Sequence, residues 1–359
     1  MKKSKDENIT SILKLIAPGT PIRDGLENIL RAKTGALLLI TDNSEILKEI
    51  VDGGFTINEE YTSSKLYELA KMDGAIVLSG DMKRILYANA QLIPSHEIIT
   101  TETGTRHRTA ERTAKQTGEL VISISQRRNI ITVFKGTDRY VLEDTEVVLN
   151  KANQAIQTLE KYKKVFDNKL NILNEYEFND IVTLQNVILA IQRAEMVMRI
   201  VDEIQRQIYE LGNDGRLVKM QLEELIGGLE KEEKLIIKDY LVANKKKNIP
   251  EKVIENLEEL EYEDLLKESA IAKLLGYEYF DNYDEVGVYP KGYRILSKVP
   301  RMPSNIVENL VESFKSFQHI LAADIESLDD VDGIGEVRAR TIKQSLKRMQ
   351  EQFVFDNII

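Results

Sequence analysis

A chain of 359 residues is too long for one ordinary hydrophobic core, so two or three domains are expected. Its 49 basic and 59 acidic residues give a formal net charge of -10, which excludes a uniformly basic surface and confines any nucleic-acid contact to a local face. With no cysteine and three histidines in all (His96, His107, His319), disulfides, zinc–thiolate sites, iron–sulfur clusters and thiol catalysis are excluded. No multi-histidine metal centre is expected, and any metal would lean on carboxylates and substrate phosphates. The opening MKKSKDENIT has no apolar stretch of signal-peptide length, and the most apolar run, GALLLI, is far shorter than a membrane span. A cytoplasmic protein without membrane contact is the expectation.

Residues 1 to about 145 alternate apolar runs with helical patterns. GALLLITD (35–42), GAIVLSG (74–80), RILYANA (84–90), LVISISQ (120–126) and NIITVFKG (129–136) predict strands, since aliphatic and β-branched residues cluster there between Gly, Asp and Asn. SSKLYELAKM predicts a helix capped by Ser63 or Ser64, with Leu66 and Leu69 at helical spacing. This is the alternation of an α/β domain.

From about Thr145 the pattern becomes one long helix. Val148, Ala152, Ala155, Leu159, Tyr162 and Phe166 follow steps of three and four, which puts them on one stripe, and Lys169 interrupts it. Helical texture continues through VTLQNVILAIQRAEMVMRIVDEIQRQIYEL and predicts a structural spine. ANKKKNIPEK (243–252) and the acidic ENLEELEYED read as connectors or solvated faces, and no chemistry is visible between about 151 and 290.

The tail contains an internal repeat, in which VPRMPSNIVENLV from Val299 aligns with VDGIGEVRARTI from Val331, matching Met302 to Ile334 and Leu310 to Ile342. In the second copy a helix is expected to end near Leu328 and another to begin near Glu336. Gly333 and Gly335 in the turn let the backbone bend tightly and expose amides to a phosphate. Arg338, Arg340, Lys343, Lys347 and Arg348 follow over about three turns. The turn resembles the helix-hairpin-helix motif and the repeat its tandem form. The resemblance implies DNA binding through phosphates without sequence readout, by Gly333, Gly335, Arg338, Arg340 and Lys343. The first copy has PRMP in place of glycines, so a structural role is equally open to it.

Asp73-Gly74-Ala75 lies between a predicted helix and strand, and taken alone reads as a turn. TGTRHRTAERTAKQTG (103–118) predicts a helix capped by Thr103 or Thr105, stopped at Gly118 and supported by a Glu111–Lys115 pair. Arg106, His107 and Arg108 then occupy its first turn. Cations there oppose the helix dipole and cost stability unless an anion is bound, which points to a polyphosphate site; a basic solvated loop is the plainer alternative. Neither a Walker A motif nor a kinase glycine loop is present.

KLYELAKMDGAIVLSGD followed by TGTRHRTAERTAKQTG resembles the diadenylate cyclase domain, whose two hallmark motifs are DGA and RHR. The order of cyclase, helical spine and hairpin tail resembles the DNA integrity scanning diadenylate cyclases over essentially the whole chain. The fold so implied is an α/β domain with a mixed central sheet (1–145), an all-α spine and linker (146–290) and an all-α tandem helix-hairpin-helix domain (291–359). The implied activity condenses two ATP to cyclic di-AMP with release of two pyrophosphates, between two cyclase domains that face each other. It further implies a homo-octamer, a place at the nucleoid, damage signalling and suppression by branched DNA.

Attack of a ribose hydroxyl on an α-phosphate calls for a divalent ion, Mg2+ or Mn2+. By resemblance Asp73 is its carboxylate ligand, Arg106 and Arg108 hold phosphates, and His107 lies at the phosphates or metal. Thr105 and Thr109 add contacts, Gly74 lets the nucleotide approach the backbone beside Ala75, and Leu92 and Ser125 line the pocket. A reading from another class is a DNA-binding scaffold or checkpoint protein that binds ATP or a cyclic dinucleotide as a regulatory ligand without turnover.

Overall fold

The structure, a computed structural model, describes residues 10–242 and 249–355, with side chains to position 352. The lysine run of ANKKKNIPEK, at positions 243–248, lies outside the described residues. The chain divides into two compact units: one comprises Met1–Gln154 with Ile204–Met220, the other Ala155–Glu203 with Gln221–Ile359.

The first unit is built on an eight-stranded sheet of β1 (Ala36–Ile40), β2 (Val51–Asp52), β3 (Phe55–Glu60), β4 (Ala75–Leu78), β5 (Arg84–Leu92), β6 (Leu120–Ser125), β7 (Ile130–Lys135) and β8 (Asp138–Leu142). The order is β2-β5-β4-β1-β6-β7-β8, with β3 also on β5. β1 and β4 run parallel and every other pairing is antiparallel, so the sheet is mixed, as expected. β2, β3 and β8 lie outside the expected strands. β2 has two residues, and FTINEE in β3 is exposed at all but one position, so neither carries an apolar run.

β1 and β4 are buried along their whole length because helices cover both faces. Leu38, Ile40, Ile76, Leu78, Ile122 and Ile124 pack with Leu26 and Ile29 of helix α1 (Pro21–Arg31) and Leu66 of α3 (Ser63–Leu69). On the opposite face Leu37, Leu39, Val77, Val121 and Phe134 pack with Ile50 of α2 (Ser44–Ile50) and with Ala110 and Ala114 of α4 (Thr105–Thr117). The small alanines let α4 approach the sheet closely. Two expected caps differ. Thr62, in the extended conformation of an N-cap, accepts from Lys65 N at 3.1 Å and so caps α3 in place of Ser63 or Ser64. α4 begins after Gly104 with no side-chain cap at all, while Gly118 ends it as expected at φ +72°.

The helices that follow are α5 (Thr145–Asn179), α6 (Leu184–Leu211), α7 (Arg216–Ile226), α8 (Leu229–Tyr240), α9 (Pro250–Glu259), α10 (Tyr262–Leu265) and α11 (Glu268–Leu275). In α5 the expected stripe is buried at Val148, Ala152, Leu159 and Phe166. Ile156 takes the inner position next to Ala155, and the helix continues past Lys169 because burial resumes at Leu173 and Phe178. Among the described residues no helix is long and apolar enough to cross a membrane.

The last part of the second unit holds α12 (Tyr293–Leu296), α13 (Ser304–Phe314), α14 (Phe317–Ala322), α15 (Ile325–Asp329) and α16 (Glu336–Phe355). The matched pair Met302 and Ile334 joins one apolar cluster, and the matched pair Leu310 and Ile342 lies fully buried in it.

The second unit also contains a buried ionic network that the sequence did not reveal. Arg294 has no exposed surface and reaches Glu177, Asn174 and, at 3.2 Å, Glu232. Tyr240 donates to Glu177 at 2.7 Å, and Asp239 accepts the amides of Gly292, Tyr293 and Arg294 at 2.7 to 3.0 Å. Burial raises the Glu177 carboxyl, against the pull of Arg294.

Candidate nucleotide site

Strand order brings distant sequence positions together. β5, β4, β1 and β6 are adjacent, with Ala90 opposite Ala75, Leu38 opposite Ile76 and Ala36 opposite Ile124. Continuing these registers to the strand ends brings Leu92, Asp73-Gly74, Gly35 and Ser125 to one edge of the sheet. Four strands at about 4.8 Å spacing make that edge roughly 14 Å wide, the scale of a nucleotide. Ala75, two residues from Asp73, is buried as the first residue of β4.

The first turn of α4 ends over this edge. A Cβ on Gly35 would collide with the Arg106 guanidinium, which therefore lies against the backbone where β1 begins and β6 ends. Gly35 is a site residue that sequence reading missed, because a glycine before a strand gives no signal of its own. Arg106 is half-buried, Arg108 and Thr105 are exposed and Thr109 is half-buried. Among the described residues neither arginine side chain has a hydrogen bond or ion pair. The amides at the start of α4 lack a side-chain cap because its N-cap, Gly104, has no side chain, and the Thr103 hydroxyl before it accepts from Arg128 at 2.9 Å.

A strap holds this turn in place. Residues 95–103 run back along α4 and are gripped by its side chains: Gln116 accepts from Ser95 N at 2.8 Å, Arg112 donates to Ile98 O at 3.0 Å, and Lys115 donates to Ile99 O at 2.9 Å. Glu111 is 6% exposed and accepts from the Thr100 hydroxyl, from Thr101 N at 3.1 Å and from Lys115 at 2.7 Å, which includes the expected i,i+4 pair. Burial would raise the Glu111 carboxyl, but these donors outweigh it and hold the pKa below the usual range. Glu102, paired with Arg139 at 2.6 Å, fixes the strap to β8.

His107 is placed differently from expectation. It is 6% exposed, with Nδ1 at 3.1 Å from the Ser123 hydroxyl and Nε2 at 3.2 Å from the Thr132 hydroxyl, and its ring stands edge-on to Phe134. Both ring nitrogens are engaged against the sheet, so His107 locks α4 to β6 and β7 instead of facing a metal or phosphate. Burial lowers its pKa, Glu102 opposes this, and Arg128, Arg139 and Arg106 add to the lowering.

Gly74 also differs from the expected role. Its φ is +89°, and a Cβ there would come within 2.8 Å of Ala90 O and 2.9 Å of Asn89 C. The close approach that demands glycine is that of the β5 backbone. Asp73 beside it is exposed, and its carboxylate has no hydrogen bond or ion pair among the described residues. No group of three or more His, Cys, Asp or Glu among the described residues can hold a metal ion. A divalent ion at Asp73 would therefore draw its remaining ligands from phosphates and water, which suits a hard cation.

In the tail, α15 and α16 flank the VDGIG turn close to the expected ends. Gly333 is at φ +80° and packs on Ile306, while Gly335 faces open space. Three expected DNA contacts have partners within the chain. Arg338 donates to Gly333 O, Arg340 pairs with Glu336, and Lys343 donates to Leu321 O at 2.9 Å, half-buried. The Arg340–Glu336 pair is exposed and lies within α16, Lys347 is 3.9 Å from Glu351, and Arg348 is exposed.

Residues 23–139 match the family model described as DisA bacterial checkpoint controller nucleotide-binding, and residues 142–283 match the DisA bacterial checkpoint controller linker region. The DNA integrity scanning protein DisA of Clostridium botulinum (strain Loch Maree / Type A3) is 55% identical over 358 residues, covering 100% of both chains. Those of Clostridium perfringens (strain SM101 / Type A) and Clostridioides difficile (strain 630) are 56% and 54% identical, the first covering 98% of both chains, the second 99% of this chain and 98% of its own. The chain belongs to the DisA family, and its N-terminal α/β unit carries that family's diadenylate cyclase domain.

Proposed function

We propose that the chain condenses two ATP into cyclic di-AMP with release of two pyrophosphates, and that it couples this reaction to DNA. The observation that carries the reading is the sheet edge that brings Asp73 to Gly35, on which Arg106 lies at the uncapped start of α4, with Asp73, Arg106 and Arg108 all without a hydrogen bond or ion pair among the described residues. A triphosphate supplies the anion that this turn lacks. Arg106, braced on Gly35, and Arg108 would hold its phosphates, with Thr105 and Thr109 adding hydroxyls. Leu92, Ala75 and Ser125 would border the nucleoside along the strand ends. When bound at Asp73, Mg2+ or Mn2+ neutralises charge on the phosphates and acidifies the attacking hydroxyl.

Closing a ring from two ATP takes two equivalent bonds, each from one ribose hydroxyl to the other nucleotide's α-phosphate. One edge holds one nucleotide, so the reaction requires two copies related by a two-fold axis, and an octamer contains such pairs. Incubating the full chain with ATP and Mg2+ or Mn2+ and measuring cyclic di-AMP by mass spectrometry tests this. Tight ATP binding with no product would favour the regulatory scaffold reading.

For DNA, the reading rests on the glycine turn, where a Cβ on Gly335 would meet only open space, with the exposed Lys347 and Arg348 on the helix that follows. Charge reversal at Lys347 and Arg348 should weaken binding of all duplex and branched sequences alike. The slope of log affinity against log salt should flatten by roughly one unit for each phosphate that is no longer neutralised. Such a chain would work in the cytoplasm at the nucleoid, and its product would report DNA damage.

A further inference from the structure

The chain's negative charge is concentrated in one place. Positions 251–285 hold twelve carboxylates against three lysines, a local balance of -9 in a chain whose total is -10, together with four of its 14 tyrosines. Here, inside the second unit, a cleft of about 700 Å³ opens between α11, the turn before α10 and the segment after Gly276. Its apolar wall includes Leu260 and Leu274, and Tyr279 borders it with 75% of its surface exposed. Glu278 beside it has no hydrogen bond or ion pair among the described residues. Asp264 lines it as well, paired at 2.7 Å with Lys267, and Lys273 is the one cation in the wall.

Tyr283 points independently to an occupant. It is 6% exposed and lines the same cleft, yet its hydroxyl has no partner among the described residues. A buried unsatisfied hydroxyl costs about 1–3 kcal/mol, which a ligand group entering the cleft would recover. The other buried tyrosine hydroxyl of this region, that of Tyr240, donates to Glu177 at 2.7 Å.

We infer that this cleft is a docking site for an arginine-bearing peptide segment of a partner protein. The local charge repels nucleic acid and anionic lipid. A guanidinium stacks on an exposed tyrosine face, pairs with a free carboxylate and leaves its apolar stem against leucines. A cleft of this size is larger than one side chain requires, so it takes a segment and not a free cation.

The test uses the full chain and a fluorescein-labelled peptide of Arg-Gly repeats, read by anisotropy at moderate salt. Lys-Gly and citrulline-Gly peptides, free arginine and duplex DNA serve as comparisons. Binding should rank Arg above Lys, with citrulline silent and free arginine much weaker. Tyr279→Ala and Glu278→Lys should each weaken it by about five- to tenfold. Tyr283→Phe should weaken it severalfold while leaving Tm of the free chain unchanged or higher, since it removes the unsatisfied buried hydroxyl, and Glu224→Lys, an exposed reversal in α7, should do nothing. Equal weakening by Glu224→Lys, indifference to Tyr279→Ala and Glu278→Lys, or equal binding of free arginine would overturn the assignment.

Discussion

Arg106 and Arg294 occupy the same position, the second residue of a helix, where a cation opposes the helix dipole. The two are resolved in opposite ways. At α12 the chain supplies the anions itself: Asp239 takes three amides, while the fully buried Glu177 and the half-buried Glu232 meet the guanidinium. At α4 nothing in the described chain takes either the amides or the two guanidiniums, and the site opens onto the sheet edge. An arginine whose terminal nitrogens are paired inside the chain is architecture, even with Arg294 Nε left without a partner; one with no pairing among the described residues is a place kept for an anion that arrives from outside.

That contrast can be tested first at the carboxylate opposite the clamp. Asp73→Asn removes one charge from the proposed metal ligand and leaves the turn intact, since asparagine serves turns as well. Cyclic di-AMP formation should fall on the order of a thousandfold at unchanged Tm and DNA affinity. Wild-type turnover in the folded variant would sink the metal role.

Arg294→Met should do the reverse, harming the fold and not the chemistry. It strands Glu177 without its partner, and loss of one member of a buried pair costs about 3–5 kcal/mol. Denaturant unfolding of the second unit should show it, and a loss under about 1 kcal/mol would mean that the network contributes nothing net.

Arg106→Ala should lower kcat/KM by about a hundredfold and leave Tm unchanged or slightly higher, because a cation leaves a helix N-terminus. Gly35→Ala acts on the same group. The new methyl displaces the far end of the Arg106 side chain and sits 3.1 Å from Ile124 O, so about tenfold of activity should go with a modest loss of stability at most. A large drop in Tm for either variant would make Arg106 structural, like Arg294.

The smallest effect concerns Glu233 in α8. It is 3% exposed with one oxygen unpartnered, and burial, together with Glu195 and Glu258, pushes its carboxyl up to about 8. A folded pKa above the unfolded 4.5 stabilises fully below that value, and the contribution is lost as pH rises through 8. Tm should therefore decline between about pH 5 and 9, and Glu233→Gln should flatten the decline by on the order of 2 °C. An identical pH profile in the variant would refute the assignment.

Local patterns were enough for much of this. GALLLITD and LVISISQ announce strands, the spacing of Val148, Ala152 and Leu159 announces a long helix, and RHR in TGTRHRTAERTAKQTG announces a basic helix start. These signals are periodic or adjacent in sequence, so short-range chemistry fixes them. Three features needed the tertiary structure. Strand order alone sets Leu92, Asp73, Gly35 and Ser125 on one edge, because pairing partners are chosen by the whole sheet. His107 turned inward because Ser123 and Thr132, on two other strands, offered it hydroxyls. Arg294 became core because Asn174, Glu177, Glu232 and Asp239 enclose it. Whether a charge is spent inside the molecule or left for a ligand depends on partners that lie 16 to 120 residues away, and no local pattern carries that information.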